Sequence, residues 1–244
     1  MNGLVKELEG RYYFNPLQQK FDSKAQEVGL TEAMNYLTEI MQSSISDVGE
    51  LIQDRIDKGK IKDFDQASKT VAGNAFQGLV AYALVRHHQS GDLNNDIEIT
   101  LKPKRHRLIN KYATINVGDD VQKPDIDLLI YSKSATLEKP IIIYSMKTSL
   151  RERAGQTYKW KLLMDIATAT DCQSIKAKYE LSYEVQVNFK VGLITTNFYE
   201  EINNPQQVGM LRFFDFVYIT KAGKWGNRVR NLSRIIQDLN QIYD

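Results

Sequence analysis

Two short apolar segments, DIDLLIYS (residues 125–132) and KPIIIYSMK (residues 139–147), most constrain what this 244-residue chain can fold into. Each has the length of a strand, and nearly uninterrupted apolar residues are typical of strands that are covered on both faces. The segment between them is short and rich in turn-forming residues, so we expect the two strands to pair antiparallel. This pair predicts the interior of a sheet that other elements must cover.

The rest of the chain supplies helical patterns first and a mixture afterwards. Apolar residues recur at helical spacing in the first ~90 residues, namely in LTEAMNYLTEIMQSSISDVGELIQDRID and FDQASKTVAGNAFQGLVAYALVRHH. After Ile97, further strands are predicted in IEITLKPK, VNFKVGLITTN and FVYIT, and helices in RERAGQTYKWKLLMDIATAT, NNPQQVGMLRFFD and GNRVRNLSRIIQDLNQIYD. This order predicts an α/β (α+β) fold with a central mixed β-sheet flanked by helices. We expect a helical region at residues 1–60 and a core at residues 61–244.

Composition excludes several kinds of site and partner. The chain has one cysteine, Cys172, and three histidines without metal-ligand spacing. A disulfide within the chain and a cysteine-rich zinc site are therefore excluded, and we expect a reducing intracellular compartment. No apolar stretch reaches the ~20 residues that span a bilayer, so no membrane partner is expected. Any metal is expected to be a hard divalent ion, such as magnesium, on carboxylates.

Positive charge is clustered although the net charge is only +2. The segment KPKRHRLINK (residues 102–111) carries five formal positive charges and no acid, and residues 147–161 hold five cations and one acid. Such clusters can neutralise the phosphates of a nucleic acid, whereas a solvated protein face is the alternative interpretation. Lys104, Arg105 and Lys159 are the candidates for contact with a DNA backbone.

Acidic and basic side chains meet where the two central strands are expected to pair. Side chains two residues apart share a face of a strand, so Asp125 and Asp127 lie on one side, as do Ser145 and Lys147. Antiparallel pairing brings a carboxylate near Ser145 and Lys147. Carboxylates bind a hard divalent cation, and an ammonium can polarise the attacking water or stabilise charge on phosphorus. These are the groups that a phosphodiester hydrolase requires.

The same residues carry a resemblance to a known superfamily. Pro124-Asp125, followed by Ser145-Met146-Lys147, resembles the PD-(D/E)XK nuclease motif, with Ser145 where the family usually has an acid. The continuation KTSLRERAGQT resembles type II restriction endonucleases that recognise CCGG or interrupted CCNGG cores. The resemblance implies a sequence-specific endonuclease that hydrolyses double-stranded DNA with Mg²⁺ as a homodimer. Residues 61–244 would then be the nuclease core, and residues 1–60 would serve dimerisation or DNA contact. The resemblance further implies a partner DNA methyltransferase and a location in the cytoplasm of a prokaryotic cell.

The triplet Arg151-Glu152-Arg153 has a chemical interpretation of its own. Arginine can donate two bonds to O6 and N7 of guanine, and a carboxylate accepts from N4 of cytosine. At the start of a helix, four residues after Lys147, the triplet could identify adjacent G and C bases. The alternative is an ordinary charged first helical turn, in which Glu152 is favoured by the helix dipole.

The sequence departs from the superfamily pattern at two positions, and the choice of the primary metal ligand is open. The position at which related enzymes supply a glutamate from the preceding long helix corresponds to Gln77, whose amide oxygen can ligate a metal or its waters. No acid stands at the expected offset after Lys147, and Gln156 is among the nearest candidates. Both glutamines could instead serve packing and hydrogen bonding. Asp125 and Asp127 are the predicted metal ligands, and Asp125 is preferred because it follows Pro124.

Two other functions compatible with this sequence remain open. A structure-selective repair or junction nuclease would have the same fold but would not need a base-recognising triplet. A non-catalytic DNA-binding protein with a degenerate site would agree with the missing second acid and with Gln77. Discrete fragments, nicks or no cleavage of plasmid DNA with Mg²⁺ would distinguish the three.

Overall fold

A computed structural model describes residues 2–103, 105–134, 138–150, 154–183, 187–198, 200–226 and 228–244, and at residues 2 and 154–156 the description covers the backbone. The strands in these ranges are β1 (Ile97–Leu101), β2 (Ile115–Val117), β3 (Asp120–Gln122), β4 (Leu128–Ser132), β5 (Ile141–Lys147), β6 (Leu181–Ser182), β7 (Phe189–Thr195), β8 (Phe216–Ile219) and β9 (Val229–Asn231).

The central sheet is mixed, as the sequence predicts. Its strand order is β1-β4-β5-β7-β8-β9. The pairs β1–β4 and β4–β5 are antiparallel, whereas β5, β7, β8 and β9 pair in parallel. The predicted antiparallel pairing of the two apolar segments is therefore confirmed, with Leu128 opposite Tyr144 and Ile130 opposite Ile142.

Helices precede the sheet and cover it. In chain order they are α1 (Asn2–Glu9), α2 (Phe14–Val28), α3 (Leu30–Ala33), α4 (Leu37–Ser43), α5 (Ile45–Asp57), α6 (Phe64–Ser90), α7 (Arg107–Tyr112), α8 (Ala154–Thr168), α9 (Gln173–Lys178), α10 (Pro205–Leu211) and α11 (Arg234–Tyr243). Two 3₁₀ turns occupy Met34–Tyr36 and Glu201–Asn203. Among these helices, none combines the length and hydropathy needed to cross a membrane.

Strand β5 separates two hydrophobic cores. Ile142, Tyr144 and Met146 belong to the core that the N-terminal helices share with the sheet. Ile141 and Ile143 belong to the core on the other face, which also contains Trp160 and Met164 of α8. A strand with apolar neighbours on both faces needs apolar residues at every position, which explains the uninterrupted run. The strand ends at Lys147, its one charged residue.

Helix α6 connects the N-terminal helices to the site. Asp63 caps its N-terminus, where the Asp63 side chain accepts a hydrogen bond from Gln66 N, and the helix ends before Gly91, which has a left-handed conformation. A Cβ atom at Gly78 would lie 2.9 Å from the Phe14 ring, so this glycine permits close contact with α2. The helical pattern predicts this long helix correctly, and its glycine contacts the N-terminal helices.

Some predicted elements differ from the structure. Residues 30–57 form separate helices and a 3₁₀ turn rather than one uniform helical segment. The C-terminal segment contains strand β9 before α11, because Val229–Asn231 pair with β8 and leave only residues from Arg234 onward to the helix. The small sheet of β3, β2 and β6 and the helices α7 and α9 are not predicted from the sequence.

Candidate active site

The predicted acids and lysine converge where β5 ends. Lys147 Nζ lies 3.0 Å from Asp125 Oδ2 and 3.1 Å from Asp127 Oδ2. The Lys147 and Asp127 side chains are 10% and 12% exposed, whereas the Asp125 side chain is 34% exposed. One ammonium therefore contacts two carboxylates at the margin of the buried core, and the three side chains together carry one net negative charge.

Asp127 is the more firmly held of the two acids. Its Oδ1 accepts a hydrogen bond of 2.7 Å from Gln77 Nε2, and its Oδ2 accepts one of 2.7 Å from Met146 N in addition to the contact with Lys147. Its backbone N–H donates to Tyr144 O at 3.0 Å. The carboxylate of Asp127 thus fixes the end of the β4–β5 hairpin as well as facing the lysine.

Two buried oxygens near these groups have no hydrogen-bond partner among the described residues. They are Gln77 Oε1 and Ser145 Oγ. Gln77 comes from α6, and its amide nitrogen contacts Asp127. Ser145 precedes Lys147 by two residues on β5, so both side chains lie on the same face of the strand. Because buried polar atoms are rarely left unsatisfied, these oxygens are available to a bound water or to a cation that accepts oxygen ligands.

The donor set consists of oxygens, but it is small. Within the residues that the structure describes, no group of three or more His, Cys, Asp or Glu side chains could hold a metal ion. Two carboxylates and one unpartnered amide oxygen suit a hard divalent ion that keeps several water ligands, as Mg²⁺ commonly does.

A second basic group beside the site was not singled out from the sequence. Lys102 adopts a left-handed backbone conformation with φ of 49°, its N–H donates to Asp127 O at 2.9 Å, and its Nζ donates to Asn74 Oδ1 at 2.7 Å. Burial, and next the nearby charge of Arg11, lower the pKa of Lys102, while Asp127 opposes this effect. Asn74 precedes Gln77 by three residues, so helical spacing could have identified it as a neighbour of the site.

The remaining predicted site residues are either exposed or outside the described part of the chain. Arg105 and Lys159 are exposed, as expected of groups that contact a DNA backbone. Lys104, the triplet Arg151-Glu152-Arg153 and the side chain of Gln156 lie outside the described residues. Their proposed roles therefore rest on sequence alone, whereas Asp125, Asp127, Lys147 and Gln77 are in contact with one another. Ser145 lies on β5 two residues before Lys147.

Comparison with known proteins yields a family and a distant relative. Residues 102–244, more than half of the chain, match the family model described as "BsaWI restriction endonuclease type 2". The protein named "Putative type II restriction enzyme MjaVIP" from Methanocaldococcus jannaschii is 23% identical over 152 residues, which cover 58% of this chain and 67% of the relative. The family match contains both acids and Lys147, whereas Gln77 and helices α1–α6 precede it.

Proposed function

Because the chain belongs to the BsaWI restriction endonuclease type 2 family, we propose that Asp125, Asp127 and Lys147 form its phosphodiester-cleaving centre. The protein is a type II site-specific nuclease, and DNA is its partner. The proposal adds that the centre is of the PD-(D/E)XK type and acts on double-stranded DNA with Mg²⁺. It extends to Ser145 and Gln77 as neighbouring oxygen donors.

One observation carries the assignment: the ammonium of Lys147 lies within 3.1 Å of both acids. A lysine at the margin of a core is seldom placed between two carboxylates for stability alone, since desolvating three charges is costly. Phosphodiester cleavage explains this arrangement, because the scissile phosphate is negative and accumulates further negative charge as it reacts. A lysine beside bound phosphate can stabilise that charge.

Asp125 and Asp127 are expected to have different roles in metal binding. The oxygens of Asp127 already accept bonds from Gln77, Met146 N and Lys147. Asp125 is more exposed, and the contact described for its carboxylate is the one with Lys147. Asp125 is therefore the better primary ligand, while Asp127 orients the lysine and adds negative charge. Gln77 Oε1, which is buried without a described partner, is a candidate for a further oxygen.

Mg²⁺ held by Asp125, with Asp127 as the second acid, would lower the pKa of an attacking water and neutralise phosphate charge. The residues of the chain provide the remainder. Lys147 partly neutralises the two carboxylates before DNA arrives, which limits their mutual repulsion. When the phosphate is in place, the same ammonium can turn toward the reacting oxygen. Gln77 keeps Asp127 oriented through its 2.7 Å hydrogen bond.

Base recognition is assigned to Arg151, Glu152 and Arg153. Two guanidiniums and one carboxylate match the edges of G·C pairs in the major groove, whereas Asn or Gln would suit A·T pairs better. We expect a G·C-rich palindrome with a CCGG-like or interrupted CCNGG-like core. A palindrome is two-fold symmetric, so a homodimer would bring one Lys147 to each strand. A methyltransferase that protects the same site would be the cognate partner.

Cleavage of plasmid DNA tests the proposed centre. The wild-type protein is expected to give discrete fragments with Mg²⁺ and none with EDTA, and sequencing of the fragment ends would identify the site. Asp125→Asn is expected to lose cleavage. Asp54→Asn is the matched control, since Asp54 of α5 forms an exposed pair with Lys58, which follows the helix. Random nicks would favour a structure-selective nuclease, and an active Asp125→Asn variant would refute the assigned acid.

Binding measurements test the proposed base readers separately. Arg151→Ala and Arg153→Ala should each lose ~1–3 kcal/mol of discrimination between a duplex with the mapped site and a random duplex. Lys159→Ala should weaken binding to both duplexes alike and lower the salt dependence. Equal weakening on both duplexes by the arginine variants would show that they contact only the backbone, and the CCGG-type assignment would then fail.

A further inference from the structure

Three residues connect the proposed catalytic lysine to the proposed base readers. They are Thr148, Ser149 and Leu150, which follow Lys147 and precede residues 151–153. Any displacement of this connector would change the position of the triplet relative to the lysine. Whatever holds the connector therefore influences how base recognition is transmitted to cleavage.

A loop from another part of the chain bonds to each of the three connector residues. Thr196 Oγ1 donates to Thr148 O at 2.8 Å. Glu201 Oε2 accepts from Leu150 N at 2.9 Å and from Ser149 Oγ at 3.3 Å. These partners are about 50 residues apart in sequence, so the bonds are tertiary contacts rather than local turn geometry. One carboxylate oxygen thus accepts from two consecutive residues immediately before the triplet.

The topology explains why this loop meets the connector. Strand β7 pairs in parallel with β5, and Lys147 is in register with Thr195. Both strands consequently end at the same edge of the sheet, side by side. Residues 196–198, 200 and 201 follow β7, and residues 148–150 follow β5. In parallel sheets this edge is where binding sites commonly form.

Two non-glycine residues of the loop have left-handed backbone conformations. Asn197 and Glu200 both have positive φ, 54° and 55°, although neither is glycine. Asn197 is buried, and its side chain accepts a hydrogen bond from Ile202 N at 3.0 Å. Non-glycine residues with positive φ persist where their surroundings fix them. The bond from Ile202 N ties Asn197 to the residue that follows Glu201.

We propose that Glu201 is a positioning residue that couples base recognition to cleavage by holding the connector between Lys147 and residues 151–153. The inference rests on the proposed function of those residues. Glu201 fixes the direction in which the chain leaves Lys147, so that correct contacts by the triplet place the scissile phosphate against the lysine. Loss of the carboxylate should loosen this link more than it weakens DNA binding.

Single-turnover cleavage and equilibrium binding test this role on two duplexes, one with the mapped site and one with a single base-pair mismatch. Glu201→Ala is expected to cleave the correct duplex ~10–100-fold more slowly at saturation, because small displacements of reacting groups carry large kinetic penalties. Its preference for the correct over the mismatched duplex should fall by a similar factor. Binding to random DNA should change less than about twofold, since the backbone contacts remain.

Two further variants make the result interpretable. Glu201→Gln keeps an acceptor oxygen without the charge, so it should recover part of the lost rate. Glu200→Gln is the matched control, because Glu200 is adjacent, its side chain is 80% exposed and it contacts Lys221 at 3.3 Å. The control should behave like the wild type. Urea unfolding of each variant establishes that the protein is folded under assay conditions.

The possible outcomes separate this inference from the proposed function. If the wild type cleaves specifically and both Glu201 variants retain its rate and its discrimination, the positioning role is overturned. A rate loss that is equal on correct and mismatched duplexes would overturn it as well, because the coupling would be unaffected. If the wild type itself shows no site preference, the proposed function fails first. Slow cleavage with reduced discrimination in folded Glu201 variants would support the inference.

Discussion

Replacing Asp127 by asparagine should destabilise the protein much more than the same replacement at Asp125. Both changes remove one negative charge from the same lysine. The acids differ in their surroundings, because Asp127 accepts from Gln77 Nε2, Met146 N and Lys147 Nζ, whereas the bond described for Asp125 is with Lys147. Asp127 is also largely buried, while a third of the Asp125 side chain is exposed.

The size of the difference follows from these contacts. Hydrogen bonds to charged groups contribute ~1.5–3 kcal/mol, and neutral ones ~0.5–1.5 kcal/mol. Asparagine at position 127 can still accept from Met146 N, and Gln77 can rotate its amide to accept from the new NH₂ group. The asparagine side chain loses the charged bond to Lys147, and its bonds with Met146 N and Gln77 become weaker. Because Lys147 keeps Asp125, we expect a loss of about 2–4 kcal/mol. At position 125 the loss should be below ~1 kcal/mol.

Urea unfolding in EDTA, followed by circular dichroism, measures both changes. The slope of unfolding free energy against urea should be unchanged, so that shifts in midpoint report stability. Both variants should nevertheless lose cleavage with Mg²⁺. An Asp125→Asn variant that is destabilised as much as Asp127→Asn would refute the unequal roles of the two acids. An Asp127→Asn variant with wild-type stability would do so too.

Three further changes test other parts of the structure. Gln77→Glu should lower the urea midpoint in EDTA, because a second carboxylate would face Asp127 across the present 2.7 Å contact; Mg²⁺ should restore it, and equal stability in EDTA would contradict this geometry. Burial lowers the pKa of His87 in the folded chain. Below the ordinary histidine pKa of about 6.5, the unfolded chain therefore binds a proton that the folded chain does not bind. Unfolding free energy should therefore fall between pH 7 and pH 5, by at most ~1.4 kcal/mol per pH unit from this group, and a His87→Gln variant with an unaltered slope would refute the assignment. Gly192→Ala should cost ~1–3 kcal/mol or more in urea unfolding, since a Cβ would overlap the buried Tyr144 ring; a neutral result would show that the ring can move.

The central hairpin could be predicted from sequence because its determinants are local. Strand length and the turn-rich connection predict the pairing of β4 with β5, and both acids contact Lys147. The expectation that Asp125 and Asp127 are strand residues is wrong, because β4 begins at Leu128 and both acids precede it. The contact from Gln77 spans 50 residues, so spacing alone does not predict it. Resemblance to the superfamily identified Gln77 as a candidate, and the packing of α6 on the sheet explains how its side chain reaches Asp127.

The errors in the sequence-based fold have physical causes as well. Val229, Leu232 and Ile235 have helical spacing, which favours one closing helix, yet pairing of β9 with β8 outweighs that local preference. The small sheet of β2, β3 and β6 consists of two- and three-residue strands whose formation depends on tertiary pairing. Glu201 gives no sequence signal, since its contacts with Ser149 and Leu150 arise from the parallel register of β5 and β7.

Single-turnover cleavage by Lys147→Ala tests the central claim most directly. The account predicts that cleavage of a saturated duplex with Mg²⁺ falls by at least ~10²–10³-fold, because the ammonium acts mainly on the transition state. Affinity for the same duplex, measured without Mg²⁺, should change only a few-fold. Lys58→Ala, which removes an exposed lysine paired with Asp54, should match the wild type in both measurements. Near wild-type cleavage by Lys147→Ala would contradict the assigned active site.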